Sequence, residues 1–170
     1  ILLVESHSIP GGLNSYYARG KRKFDVGLHA LTNYVPKESK GHPLNKLLKQ
    51  LRIPYDNLKL SEQNNAKIIF PDHELKFTNN IEILINEIEK NFPNETDGFL
   101  KLLEHIKNFN EVSLQNETVM AKSIVSQFIK DQSLLEMIFC PLLIYGSAWE
   151  NDMDFSQFAI MFKSIYLEGF

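Results

Sequence analysis

The residues best suited to chemistry gather in the first 31 positions, ILLVESHSIPGGLNSYYARGKRKFDVGLHAL. Ile1-Leu2-Leu3-Val4 is a short, continuous apolar run, the pattern of a strand covered on both faces in a parallel sheet. Glu5 follows at once. A carboxylate at the carboxyl end of such a strand can accept from both hydroxyls of a ribose, and its charge makes the pairing strong and selective. The alternative is a solvated strand end. Four of the eight glycines (Gly11, Gly12, Gly20 and Gly27) fall within the first 27 residues. Glycine reaches positive φ and lets a ligand approach the backbone, so Pro10-Gly11-Gly12 can offer amides to a phosphate, or form a plain Pro-Gly turn. The whole order favours the first option: apolar run, Glu5, paired glycines, Ser15, Gly20, Phe24-Asp25-Val26-Gly27, His29.

Two stretches, VESHSIPGGLNSYYARG and FDVGLHAL, resemble the opening of FAD-dependent oxidoreductases of the phytoene desaturase, carotenoid isomerase and retinol saturase group, within the amine-oxidase-like flavoprotein superfamily. The likeness covers residues 1–34, and a vaguer one reaches the end. There Tyr166-Leu167-Glu168-Gly169-Phe170 resembles the segment that leads such chains back toward the flavin domain. The resemblance implies FAD as cofactor, with Glu5 on the adenosine ribose and Gly11 and Gly12 near the pyrophosphate. It also implies that Asp25, Gly27 and His29 lie near the flavin. Many relatives carry arginine or serine after the paired glycines, whereas this chain has Leu13-Asn14, so only backbone contacts carry over. His29 is the candidate catalytic residue, positioning or hydrogen-bonding at the ring; the competing role is a structural histidine that pins the loop.

The implied activity is oxidoreduction of an apolar polyene or isoprenoid-like lipid: desaturation, saturation or isomerisation. An amine-oxidase-like enzyme is the alternative in the same chemical class. A non-enzymatic lipid-binding escort, similar to the guanine-nucleotide dissociation inhibitors, is the alternative outside it. A glycine fingerprint normally precedes the ribose-binding acid by about 20 residues. The first phosphate-binding loop is therefore expected upstream of Ile1, a further flavin-contacting segment beyond Phe170, and the chain is expected to be an internal fragment inactive by itself.

Those residues need elements to hold them. The expected fold class is α+β: residues 1–41 as part of an FAD-binding Rossmann-like domain, and residues 42–170 as a mainly helical substrate or cap domain with strands near 58–78. Residues 13–41 hold many turn formers, and Arg19-Gly20-Lys21-Arg22-Lys23 reads either as a contact for phosphate or an anionic surface or as a solvated turn. Pro43 suits the first position of a helix whose apolar face is Leu44, Leu47, Leu48 and Leu51. Ala66–Phe70 and Leu75–Thr78 flank a turn at Pro71-Asp72-His73-Glu74, as in a hairpin. Ile81, Leu84, Ile85, Ile88 and Phe92 make a helical face capped by Asn79 or Asn80 and stopped by Pro93. Phe99, Leu102, Leu103, Ile106 and Phe109 make another, capped near Thr96 or Asp97. Weaker helices are expected at 117–130 and 133–140, and Asp154 with Gln157 resembles a capping box before Phe155, Phe158, Ala159, Phe162 and Tyr166.

Composition narrows the function classes. The chain is 44% hydrophobic, enough for a core. Its 18 basic and 21 acidic residues are interspersed, with a net charge of -3, which gives no electrostatic case for nucleic acid. The single cysteine, Cys140, excludes an internal disulfide and is expected to be an inert buried thiol in a reducing, cytoplasmic setting. The apolar stretch 134–149 is broken by Glu136, Pro141 and Gly146, too interrupted for a span of about 20 apolar residues. Its Leu142, Leu143, Ile144, Tyr145 and Trp149 read as core, or as the lining of an apolar tunnel at a peripheral membrane contact. His73 beside Asp72 and Glu74 reads as an exposed turn rather than a metal site, because three adjacent residues rarely converge on one ion. His105 falls on the face adjoining its helix's apolar stripe, where partial exposure is expected.

Overall fold

The apolar stripes at Ile81–Phe92 and Phe99–Phe109 meet in one core, and the rest of the helical part assembles on them. A computed structural model describes every residue except 1, 3, 13, 14, 28–30, 145, 146, 148 and 170. The architecture is mixed α+β, mainly helical, and the chain divides into two compact units, Ile1–Leu31 and Thr32–Phe170.

The first unit contains one antiparallel hairpin, β1 (Tyr16–Arg19) and β2 (Arg22–Asp25), with Tyr16 opposite Asp25, Tyr17 opposite Phe24, Ala18 opposite Lys23 and Arg19 opposite Arg22. The turn is two residues, and Gly20 takes φ 61°, the position that glycine fills in turns matched to the strand twist. The Val26 amide donates to the Ser15 carbonyl (3.0 Å) and extends the ladder by a step. The buried strand expected over residues 1–4 is not formed at its described positions. Leu2 and Val4 are 88% and 82% exposed and belong to no ladder. The reason is topological: a strand buried on both faces requires flanking strands and helices, and the paired segment in this unit is instead 16–25. No described residue of the unit is buried. A lone two-stranded hairpin is marginal in water, so this unit gains little from burial.

The second unit holds the core. Helix α1 (Pro43–Leu51) begins on its proline as expected and ends at Arg52 in the left-handed conformation, yet only Leu48 of its leucine stripe is buried. Leu47 and Leu51 are exposed. Strands β3 (Ala66–Ile69) and β4 (Glu74–Phe77) pair antiparallel around the expected turn and send Ile68, Leu75 and Phe77 inward. Helix α2 (Ile81–Asn91) is capped by Asn80, whose Oδ1 accepts from the Glu82 amide (3.0 Å), and packs on β4. Helix α3 (Thr96–Asn108) follows directly after a tight turn at Pro93–Glu95.

Helix α4 spans Ala121–Phe128, shorter than the expected 117–130. The preceding residues are extended instead: the Phe155 amide donates to the Val119 carbonyl and the Ala121 amide to the Met153 carbonyl, both at 2.8 Å. Helix α5 (Gln132–Ile144) is longer than expected and runs through Pro141. Helix α6 (Phe155–Phe162) starts at Asp154, whose carboxylate accepts from the Ser156 and Gln157 amides, and continues as a π-helical segment, Lys163–Glu168. Phe99, Phe139, Phe158, Phe162 and Tyr166 are the largest fully buried side chains. Burying one such ring is worth about 1.5–3 kcal/mol, so the aromatic spine along α6 is the main anchor of this unit. Leu142 belongs to the core as expected, whereas Ile144 (76%) and Trp149 (43%) are exposed and Cys140 is only half-buried. No helix among the described residues is long and apolar enough to cross a membrane.

Candidate cofactor-contacting site

Glu5 lies in exposed, irregular chain. Its Oε1 accepts from the His7 backbone amide at 2.8 Å, a short-range turn of the kind acidic side chains make with nearby amides. That amide, against desolvation and with help from Ser6, holds the carboxyl below its ordinary value. The Ile9 amide donates to His7 Nδ1 at 3.2 Å, so Glu5, His7 and Ile9 form one continuous local network.

The paired glycines follow. Gly11 takes φ 127° and Gly12 φ 55°, conformations in which any Cβ is strained, and the Ser15 amide donates to the Gly12 carbonyl at 3.2 Å. Where a Cβ would stand on Gly12 there is no atom within 4 Å, so a ligand can approach the backbone there. A cleft of about 310 Å3 opens beside it, lined by His7, Ile9, Gly12, Ser15, Tyr17 and Val26 together with Tyr16.

Of the residues predicted from the sequence, the cleft brings in Gly12. Glu5, Gly11, Asp25 and Gly27 are outside its lining. Asp25 ends β2 opposite Tyr16 and is exposed, and Gly27 is half-buried one residue beyond the last ladder hydrogen bond. His29 and Leu13-Asn14 lie outside the described residues. The cleft-lining tyrosines escaped the sequence reading because YYAR and RKFD carry polar residues on both faces; the available signal was Gly20 between two short segments that each hold an aromatic, Tyr17 and Phe24. Glu5 offers an ionised, exposed acceptor and Gly12 a backbone open to approach, and of the two only Gly12 lines the cleft.

Two of the three histidines of the second unit, His73 and His105, border hollows. The His73 ring packs on Phe92 (centroids 4.4 Å apart) beside a polar cleft of about 370 Å3 that also includes Asp72, Glu74 and Glu87. Among the described residues no group of three or more histidine, cysteine or acidic side chains can hold a metal ion. His105 is exposed, as expected from its position off the apolar stripe, and its ring lies 5.3 Å from Phe128 and 5.5 Å from Phe155. With Phe109, Val119 and Ile124 it lines an apolar hollow of about 220 Å3, below the usual range of small-molecule pockets. No protein family, curated protein or solved structure matches the chain.

Proposed function

We propose that this chain is part of an FAD-dependent oxidoreductase that desaturates, saturates or isomerises an apolar polyene or isoprenoid-like substrate. The observation that carries the reading is the pairing of Glu5 with Gly11-Gly12. An ionised carboxylate is followed by two glycines in positive φ, and the second stands open at the lip of a cleft. In this reading residues 1–41 are a piece of a Rossmann-like FAD-binding domain, and residues 42–170 form the helical substrate domain. Leu2 and Val4 then lose their exposure when the parallel sheet is assembled around them.

Hydride chemistry is what the flavin supplies when bound. The chain's own residues hold and orient. The Glu5 carboxylate would accept from the ribose hydroxyls, and the Gly11-Gly12 backbone would face the pyrophosphate, with no atom within 4 Å of where a Cβ would stand on Gly12. Asp25, Gly27 and His29 would lie near the ring, with His29 as the group to position or hydrogen-bond there. The apolar helical unit excludes water from a greasy substrate.

The test is flavin content of the purified intact protein, read by its visible absorbance, followed by anaerobic addition of polyenes and of amines. Expected is bleaching by a polyene that is desaturated, or return of colour to pre-reduced flavin by one that is saturated, or isomerisation seen only with pre-reduced flavin, with no response to amines in any case. Glu5→Ala should lower flavin occupancy, since a charge-assisted pair is lost. A colourless intact protein, or unchanged occupancy in the Glu5 variant, overturns the reading.

A further inference from the structure

The hairpin β1–β2 concentrates charge that the rest of its unit does not balance. Arg19, Lys21, Arg22 and Lys23 stand against two carboxylates, Glu5 and Asp25, in residues 1–31. Arg19 and Arg22 are direct cross-strand partners, and both are exposed. Like charges placed opposite each other destabilise a strand pair. Among the described residues no carboxylate pairs with either arginine or with Lys21. Lys23 is used differently, with its Nζ 4.4 Å from the centroid of the Tyr16 ring.

Alternation along the strands sorts these groups. Tyr17, Arg19, Arg22 and Phe24 share one face; Tyr16, Ala18, Lys23 and Asp25 share the other. On the first face the Tyr17 and Phe24 rings stack at 5.3 Å with 17° between their planes, and they remain 49% and 40% exposed. The face is therefore graded: two unpaired guanidinium groups at the turn, then an aromatic pair two residues back, about 7 Å along the strand. That separation matches the depth of about 5–10 Å to which interfacial elements sink between headgroups and acyl chains. Arginine suits phosphate through its planar fork, and tyrosine and phenylalanine rings suit the boundary below.

We propose that the Tyr17/Arg19/Arg22/Phe24 face is a docking surface for an anionic phospholipid bilayer. The arginines bridge headgroup phosphates, which relieves their mutual repulsion, and the stacked rings enter the boundary. Single-stranded nucleic acid is the less suited polyanion. Each ring already covers one face of the other, and the other exposed large apolar side chains among the described residues of the unit, Leu2, Val4, Val26 and Leu31, are aliphatic and give bases no ring to stack on. The docking surface needs no bound flavin, and it shares only Tyr17 with the cleft beside Gly12.

The experiment is co-sedimentation of the chain with vesicles of phosphatidylcholine alone and with a roughly 7:3 mixture of phosphatidylcholine and phosphatidylserine, across a salt series. Binding to the mixed vesicles, falling with salt, is expected. Each cation near such a surface contributes enough that Arg19→Gln/Arg22→Gln should weaken partition about thirtyfold. Arg19→Lys/Arg22→Lys keeps the charge and should retain most of the binding, which separates lost charge from lost fold. Tyr17→Ser/Phe24→Ser should weaken binding at every salt concentration. Equal binding to both vesicle types, an undiminished glutamine variant, or equal loss in the lysine variant overturns the proposal. So does binding of an RNA oligonucleotide or of inorganic pyrophosphate without vesicle binding.

Discussion

The Tyr166 hydroxyl donates to the Ile138 carbonyl over 3.1 Å, joining the π-helical end of α6 to the turn of α5 just before Pro141. Pro141 has no N–H to return to Met137, and its ring crowds the preceding turn. A carbonyl in that turn gains a donor from a different helix. Tyr166 is fully buried, and burial, with a lesser contribution from Cys140, pushes its hydroxyl well above its ordinary value, so it remains a donor.

Tyr166→Phe keeps the ring and removes that donor. It should lower stability by about 1–2 kcal/mol, because a buried carbonyl then loses its outside partner. Urea unfolding reads this directly, and an unchanged midpoint would show that the α5 backbone satisfies Ile138 unaided.

Gly98 marks the crossing of α3 and α4. A Cβ built there would stand 2.2 Å from the Phe128 carbonyl oxygen, which is backbone and cannot swing away. Gly98→Ala should therefore destabilise the second unit by roughly 1–3 kcal/mol despite alanine's better helix propensity, since overpacking exceeds that gain. A stabilised variant in thermal unfolding would mean that the helices separate freely.

Glu95 precedes α3 but does not cap it. Its carboxylate crosses to the Lys130 and Asp131 amides, at 2.8 and 3.1 Å, while Asp131 Oδ1 accepts from the Leu134 amide at the start of α5 (2.9 Å). Glu95→Ala removes both acceptors at once and should cost about 1.5–3 kcal/mol. Hydrogen exchange should report faster opening at the Lys130 and Asp131 amides, and unaltered protection there would remove the role given to Glu95.

Glu111 and Lys163 form a partly buried pair at 2.6 Å, and Lys163 also donates to the Phe109 carbonyl at 3.0 Å. Desolvation, the largest single effect, pushes the Glu111 carboxyl up, but the Lys163 hydrogen bond, a backbone hydrogen bond and the Lys163 charge together leave it below its ordinary value of 4.5. A carboxylate whose folded value is depressed stabilises the fold above its unfolded value, and that contribution fades as pH falls through the folded one. Stability should thus decline in the acid range below about pH 4.5, and Lys163→Met should flatten part of that decline. Parallel pH profiles of the two proteins would contradict this.

Much of the second unit was legible because its signals are local. Pro43, Asn80, Pro93 and Asp154 act within a turn of where they stand, and the stripes of α2 and α3 repeat at the helical period. Pro141 misled for the same reason. A proline reads as a local stop, whereas packing against α6 and β3 carries α5 to Ile144. Residues 117–120 looked helical and became extended because their backbone pairs with Met153 and Phe155, some 35 residues away. In the first unit the run Ile1–Val4 read as a strand on hydrophobicity alone, but a strand exists only with a partner, and the polar hairpin at 16–25 supplied its own.

The sequence by itself determined the coarse α+β class, the stripes of α2 and α3, the caps at Asn80 and Asp154 and the positive φ of the paired Gly11-Gly12, because each depends on neighbours within about a turn. The tertiary structure decided which leucines of α1 are covered, that Glu95 serves α5 rather than α3, that Tyr166 donates to Ile138, and that Arg19 and Arg22 face each other. Those relations join distant residues or depend on register, and neither quantity is encoded in spacing along the chain.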